Sequence, residues 1–179
     1  MRWARATLLG LMLLAGAAGG CAQRGELSTQ DEGTTALLGA VRALHHQADV
    51  FEHAGDLERA ADAVRRVLAL PVPRALPEYE DIRADAYGRL AEISLRRNAP
   101  DDALSLTETG LSEATRESVL RARLLMVRGQ CLGALADRDR ERGDRASETR
   151  RRDEAIQVLE QSIAMNQRIL ARALDGGAP

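Results

Sequence analysis

The apolar residues of this chain return every three or four positions and never alternate over a strand-length run, which commits it to helices. Leu37, Val41, Leu44, Ala48 and Phe51 trace one face of a first helix. Thr34 or Thr35 can cap its start, and Gly55 ends it. Asp56 then caps a second helix carrying Leu57, Ala60, Ala61, Val64 and Leu68, which Pro71 and Pro73 stop. Ile82, Ala86, Leu90 and Ile93 mark a third helix. Asn98-Ala99-Pro100 turns the chain into a fourth, with Ala103, Leu104 and Leu111. A fifth, from about Glu117 to Ala136, is apolar around most of its circumference, so both of its sides are expected to be covered. The sixth, from about Glu154 to Leu174, has Ile156, Leu159, Ile163 and Leu170 on its apolar face. The predicted fold class is all-α.

Composition narrows function by exclusion. Net charge is −2, and the 25 basic residues, all arginine, are interspersed with 27 acids, so no basic footprint for nucleic acid exists. The aromatics are Trp3, Phe51, Tyr79 and Tyr87, too few to form a platform on which bases stack. Between Asp137 and Glu154 seven arginines and seven acids alternate around Gly143. Residues 137–153 are therefore expected to form a solvated extension of the fifth helix followed by a loop.

The N-terminal residues carry a separate message. Arg2 and Arg5 precede an apolar, small-residue run from Ala6 to Gly20, which is too short to span a bilayer and reads as a signal peptide over 1–20. The run ends in Ala18-Gly19-Gly20-Cys21, which resembles the lipobox of bacterial lipoproteins, with Ala18 where leucine is usual. The resemblance implies cleavage before Cys21 and a lipid on its sulfur. Cleavage after Ala17 with an unmodified thiol is the alternative. Residues 21–34 are polar and lack an apolar period, and are expected to be a flexible tether to a helical domain over 35–175. With Cys21 lipidated, Cys131 has no partner for a disulfide, and its apolar surroundings make it a buried thiol.

The helices also resemble a known repeat. Leu44-x2-Gln47-Ala48-x2-Phe51, then Gly55-Asp56-Leu57-Glu58 and Ala60-x3-Val64, is similar to one tetratricopeptide unit. Tyr87-x2-Leu90-Ala91-x2-Ser94 with Ala103-x3-Thr107 repeats it. A degenerate third unit follows as Leu125-x2-Arg128-Gly129-x2-Leu132 with Ala155-x3-Leu159. The units span about 35–70, 80–114 and 117–174, the last holding the charged insertion. The resemblance implies an α-α superhelix of three helix hairpins, and it implies that the first helix of each hairpin lines a partner-binding groove. Helical geometry sets Arg42, His46, Asp49 and His53 away from the first core stripe, Asp85, Arg89, Glu92 and Arg96 away from the third, and Arg123 and Gln130 away from the fifth. The same positions are also what a plain solvated face would show.

Chemistry-bearing patterns are weak. His46, Asp49 and His53 share a face at metal-ligand spacing, but zinc sites draw ligands from more than one element, so no metal or other cofactor is expected. No nucleophile elbow, zinc-protease helix, phosphate loop or Cys-x-x-Cys is present, and no catalytic residue is assigned. The expectation is a lipid-anchored envelope adaptor or assembly scaffold, not an enzyme. It would sit in the outer membrane facing the periplasm, since Ala22 and not aspartate follows the cysteine, and bind a protein or peptide segment. Two alternatives stand beside it: a periplasmic helical hydrolase using His53 or a carboxylate such as Glu52 or Glu92, and a self-associating structural lipoprotein paired through the fifth helix.

Overall fold

The computed structural model describes the backbone of residues 20–176 and the side chains of residues 32–176. The expected leader, apart from the Gly20 backbone, and the Cys21 side chain lie outside the described residues. Among the described residues the protein is all-α and has no strand. The helices are α1 (Gly20–His53), α2 (Leu57–Ala69), α3 (Tyr79–Arg96), α4 (Pro100–Glu113), α5 (Val119–Glu141) and α6 (Arg145–Asp175).

The chain divides into two compact units, residues 1–38 and residues 39–179. Of the first, the described part is helical from Gly20 onward. The expectation of an irregular tether over 21–34 is thereby corrected. Ala22, Gln23, Arg24, Glu26, Leu27 and Gln30 are good helix formers, and propensity does not require an apolar stripe.

In the second unit the helices form three consecutive hairpins, and the three turns inside them are the same. Gly55, Asn98 and Gly143 take positive φ of 76°, 59° and 77°. In each turn the next residue's N–H reaches back five residues: Asp56 to Phe51 O, Ala99 to Ser94 O and Asp144 to Asp139 O, all at 2.9 Å. This is the Schellman closure, which needs a left-handed residue at its corner and so selects glycine or asparagine. Asp56 and Asp144 then cap α2 and α6, accepting from the backbone N–H of Arg59 at 3.0 Å and of Ser147 at 3.1 Å. At α4 the cap side chain is replaced by Pro100 in the first turn, where a missing N–H costs nothing.

The third turn corrects part of the reading of the charged insertion. The fifth helix does extend into it, as far as Glu141, but the expected loop shrinks to the turn at residues 142–144, and α6 starts at Arg145. Aligning the turns sets Ala136 where Ala48 and Ala91 stand, and all three are fully buried. The third unit therefore carries Leu132, Leu135, Ala136 and Asp139 in the register expected for Leu125 to Leu132. What permits helix in so charged a segment is Asp139. Its residue is 2% exposed, and its carboxylate accepts from Arg142 at 2.5 Å and from Arg151 of α6 at 2.6 Å. Arg151 also donates to Leu135 O at 3.3 Å.

The core runs along α5, which packs against α3, α4 and α6. Ala122, Leu125 and Leu132 meet Ala155, Val158 and Met165 of α6. Val127 and Cys131 meet Ala91 and Ala103 on another side. Small residues fix the close approaches. A methyl on Gly110 would lie 2.7 Å from Tyr87 Cβ and from Leu124 Cδ2, and one on Gly129 would lie 2.7 Å from Leu159 Cγ. The contact at Gly110 therefore leaves no room for a side chain. The buried stripe of α6 is Ala155, Val158, Ser162 and Met165, not the expected Ile156, Leu159, Ile163 and Leu170. Leu159 is half-buried over Gly129, whereas Ile156, Ile163 and Leu170 are exposed. Bulk misled the sequence reading: the tight α5–α6 contact takes the smaller stripe and leaves the larger one outside.

Candidate interaction surface

Six of the ten expected groove residues converge, but on one another. Asp49 of α1, Asp85, Arg89, Glu92 and Arg96 of α3, and Arg123 of α5 form a ladder of ion pairs across the first helices of the three hairpins. Two further residues belong to it that the groove reading left out, Glu52 and His45. Arg89, with its side chain only 12% exposed, is the centre. It donates to Glu52 Oε1 at 2.7 and 2.9 Å and to the His45 carbonyl at 3.1 Å, and it also pairs with Asp49. Arg96 holds the other Glu52 oxygen. On the far side of α3, Arg123 bridges Asp85 and Glu92, both at 2.7 Å. The ladder welds α1, α3 and α5 side by side.

The other four expected residues do not join. Arg42, His46, His53 and Gln130 are exposed, with Arg42, His46 and His53 along α1 and Gln130 two turns beyond Arg123 on α5. His53 Nδ1 lies 2.7 Å from the carbonyl of Asp49, the intrahelical partner four residues back. The metal pattern of His46, Asp49 and His53 is thus dispersed, with the Asp49 carboxylate on Arg89. Among the described residues no group of three or more His, Cys, Asp or Glu is placed to hold a metal ion. The carboxylates considered for acid–base work, Glu52 and Glu92, are each occupied by arginine.

His45 is the titratable member of the ladder. Burial pushes its imidazole below the ordinary histidine value, helped by Arg89 and Arg123 and opposed by Asp85 and Asp49. Its Nε2 is 3.5 Å from Asp85 Oδ2, too long for a good hydrogen bond, and Nδ1 lies 3.4 Å from Arg89 Nη1. A group whose folded value is lowered binds fewer protons folded than unfolded. Its stabilising effect is complete above the ordinary value and is lost as pH falls through and below it. The melting temperature should drop between about pH 7 and pH 5.5, and a His45→Gln protein should drop less over the same interval. Equal drops in a thermal melt would remove His45 as the cause.

A second polar knot lies at α2, α3 and α4 and had no signal in the sequence. Arg83 donates to Glu113 at 2.5 and 3.0 Å and to Leu68 O at 2.9 Å, and Tyr87 OH donates to Glu113 at 2.9 Å. Arg83 holds the Glu113 carboxyl below its usual range, with the Tyr87 bond adding to it. Beside it is an open cleft of about 460 Å³ lined by Arg74, Leu76, Tyr79, Glu80 and Arg116. Its polar groups are engaged locally: Glu80 accepts the Arg116 backbone N–H at 2.6 Å, and Arg116 pairs with Asp81 at 2.7 Å.

The remaining surface of note is apolar. Val119, Met126, Ile156, Ile163, Leu170 and Leu174 of the α5–α6 hairpin are 36–70% exposed. Among the described residues, no helix is long and apolar enough to cross a membrane. Comparison of the chain with protein-family models, curated proteins and solved structures finds no match.

Proposed function

We propose that the chain is a lipid-anchored adaptor of a bacterial envelope, tetratricopeptide-like in plan, which holds a protein partner along the edge presented by α1, α3 and α5. The observation that carries this is the ladder. By tying the first helices of three hairpins together it makes their outward edges one continuous surface, the arrangement by which stacked hairpins bind extended segments. The three identical turns support the repeat reading. Attachment through Cys21 would raise the effective concentration for membrane-bound clients, so weak contacts suffice.

Since the ladder's three arginines are each engaged by its four carboxylates, the contacts fall to the exposed flank of Arg42, His46, His53 and Gln130. Photo-crosslinking residues placed at 46 and 130 in the native envelope should capture the same partner. A protein with Arg42, His46, His53 and Gln130 all changed to Ala should lose it while keeping its melting temperature. No specific adduct at either position, or capture unaffected by the four changes, sinks the adaptor reading. Retention of a Cys21→Ser protein in the membrane fraction would sink the anchor.

A further inference from the structure

We infer that the exposed apolar face of the α5–α6 hairpin pairs with the same face of a second copy, the two α6 helices running antiparallel about Ile163. The two rows lie on one side of the hairpin. Arg152 and Asp137 bridge α6 and α5 on that side at 3.1 Å; Arg128–Glu154 and Glu117 with Arg168 and Arg172 bridge them on the other. Ile156 follows Arg152 by one helical turn and Met126 precedes Asp137 by three, so both inherit its side. α3 and α4 cover α5 through Leu124, Val127 and Cys131, away from Val119 and Met126. Among the described residues, nothing covers this face.

The amount exposed argues for a partner. Val119, Ile156, Ile163 and Leu170 are each 55–59% exposed and Leu174 is 70% exposed. Together with Met126 they present on the order of 600 Å² of side chain, at the top of what a monomer leaves open. Two such faces bury about 1,200 Å², where specific interfaces begin.

The face is also self-complementary. Ser162 Oγ donates to the Ala122 carbonyl at 2.7 Å, which sets Ile163 level with Ala122. A two-fold axis crossing the face at this level sets Ile163 on Ile163 and Ile156 on Leu170. On α5 it sets Met126 on Val119, because they stand on either side of Ala122. One axis therefore satisfies both rows, the signature of an isologous contact. Charge chooses the direction. Antiparallel pairing faces Glu160 with Asn166 and Asp153 with Ala173, whereas parallel pairing faces each acid with itself.

The test uses the full chain with Cys21→Ser, so that the added cysteine reacts alone; Cys131 is buried and its thiol is pushed up to about 12. Ile163→Cys should form a disulfide-linked dimer with itself on mild oxidation. Ile156→Cys should not, but should link when mixed with Leu170→Cys. Light scattering should give twice the chain mass for the native protein and the single chain mass for Ile163→Asp, with helical circular dichroism unchanged because Ile163 is exposed. A single-chain mass for the native protein at every concentration, or self-linkage of Ile156→Cys in place of Ile163→Cys, overturns the inference. Gln130 follows Met126 by one helical turn, so a dimer covers that end of the proposed partner edge. The two failures stay distinguishable, because a monomer that still captures its partner leaves the adaptor reading intact, and a dimer without a partner leaves this one intact.

Discussion

Replacing Asp139 with alanine should cost about 2–3 kcal/mol of folding stability, near the low end for breaking a buried pair. The carboxylate is 3% exposed at its side chain and holds two arginines from opposite sides of the α5–α6 turn. Without it Arg151, 28% exposed, loses its charged partner next to the core. Arg142 is 65% exposed and returns to water at little cost, which keeps the figure below the full value for two buried ions. A loss of that size lowers the melting temperature by about 5–10 °C in a domain of this length. Asp139→Asn keeps the shape and one acceptor and should lose roughly half as much. Asp137→Ala is the control: its carboxylate is 54% exposed, and exposed pairs are worth about 0–1 kcal/mol. Indistinguishable melts for Asp139→Ala and Asp137→Ala would show that the turn is held by its backbone geometry alone.

Asp139 also shows where sequence reading stops. Helix number and class were legible, because an apolar period of three to four needs no tertiary information. So were the turns at Gly55 and Asn98, since a left-handed corner selects few residues. The third turn has the same glycine followed by the same aspartate, yet alternating charge around it looked like solvated chain. An aspartate among seven arginines gives no sign in sequence that it alone will be buried. α6 failed for a related reason. It carries two apolar stripes one residue apart, and hydrophobicity favours the bulkier one. Only the closeness of Gly129 and Ala155 to α6 and α5, a pairwise property, selects Ala155, Val158, Ser162 and Met165 for the core. The candidate surface was half legible. Helical spacing identified which residues leave the core stripe, but not that arginines on α3 and α5 reach acids on the first helix of the preceding hairpin. His45 and Glu52 were left out of the groove because they border the core stripe of α1, and Arg89 draws them into the ladder.

That ladder makes Arg89→Ala the second large expected effect, about 2–3 kcal/mol, again read by thermal or denaturant unfolding. Arg89 is buried more deeply than any acid it holds, and its removal leaves Glu52, 19% exposed, with Arg96 alone and orphans its bond to the His45 carbonyl. Asp49, 50% exposed, can turn to water and contributes little. Arg89→Lys should recover only part of the loss, because one ammonium cannot span Glu52, Asp49 and a carbonyl as the planar guanidinium does. Arg96→Ala, at an exposed position, should cost under about 1 kcal/mol. The ordering Arg89→Ala, then Arg89→Lys, then Arg96→Ala separates a structural ladder from a binding clamp. A clamp would show partner loss without destabilisation in all three variants. If Arg89→Ala melts with the native protein, the ladder holds nothing together, and its arginines return to the candidates for partner contact.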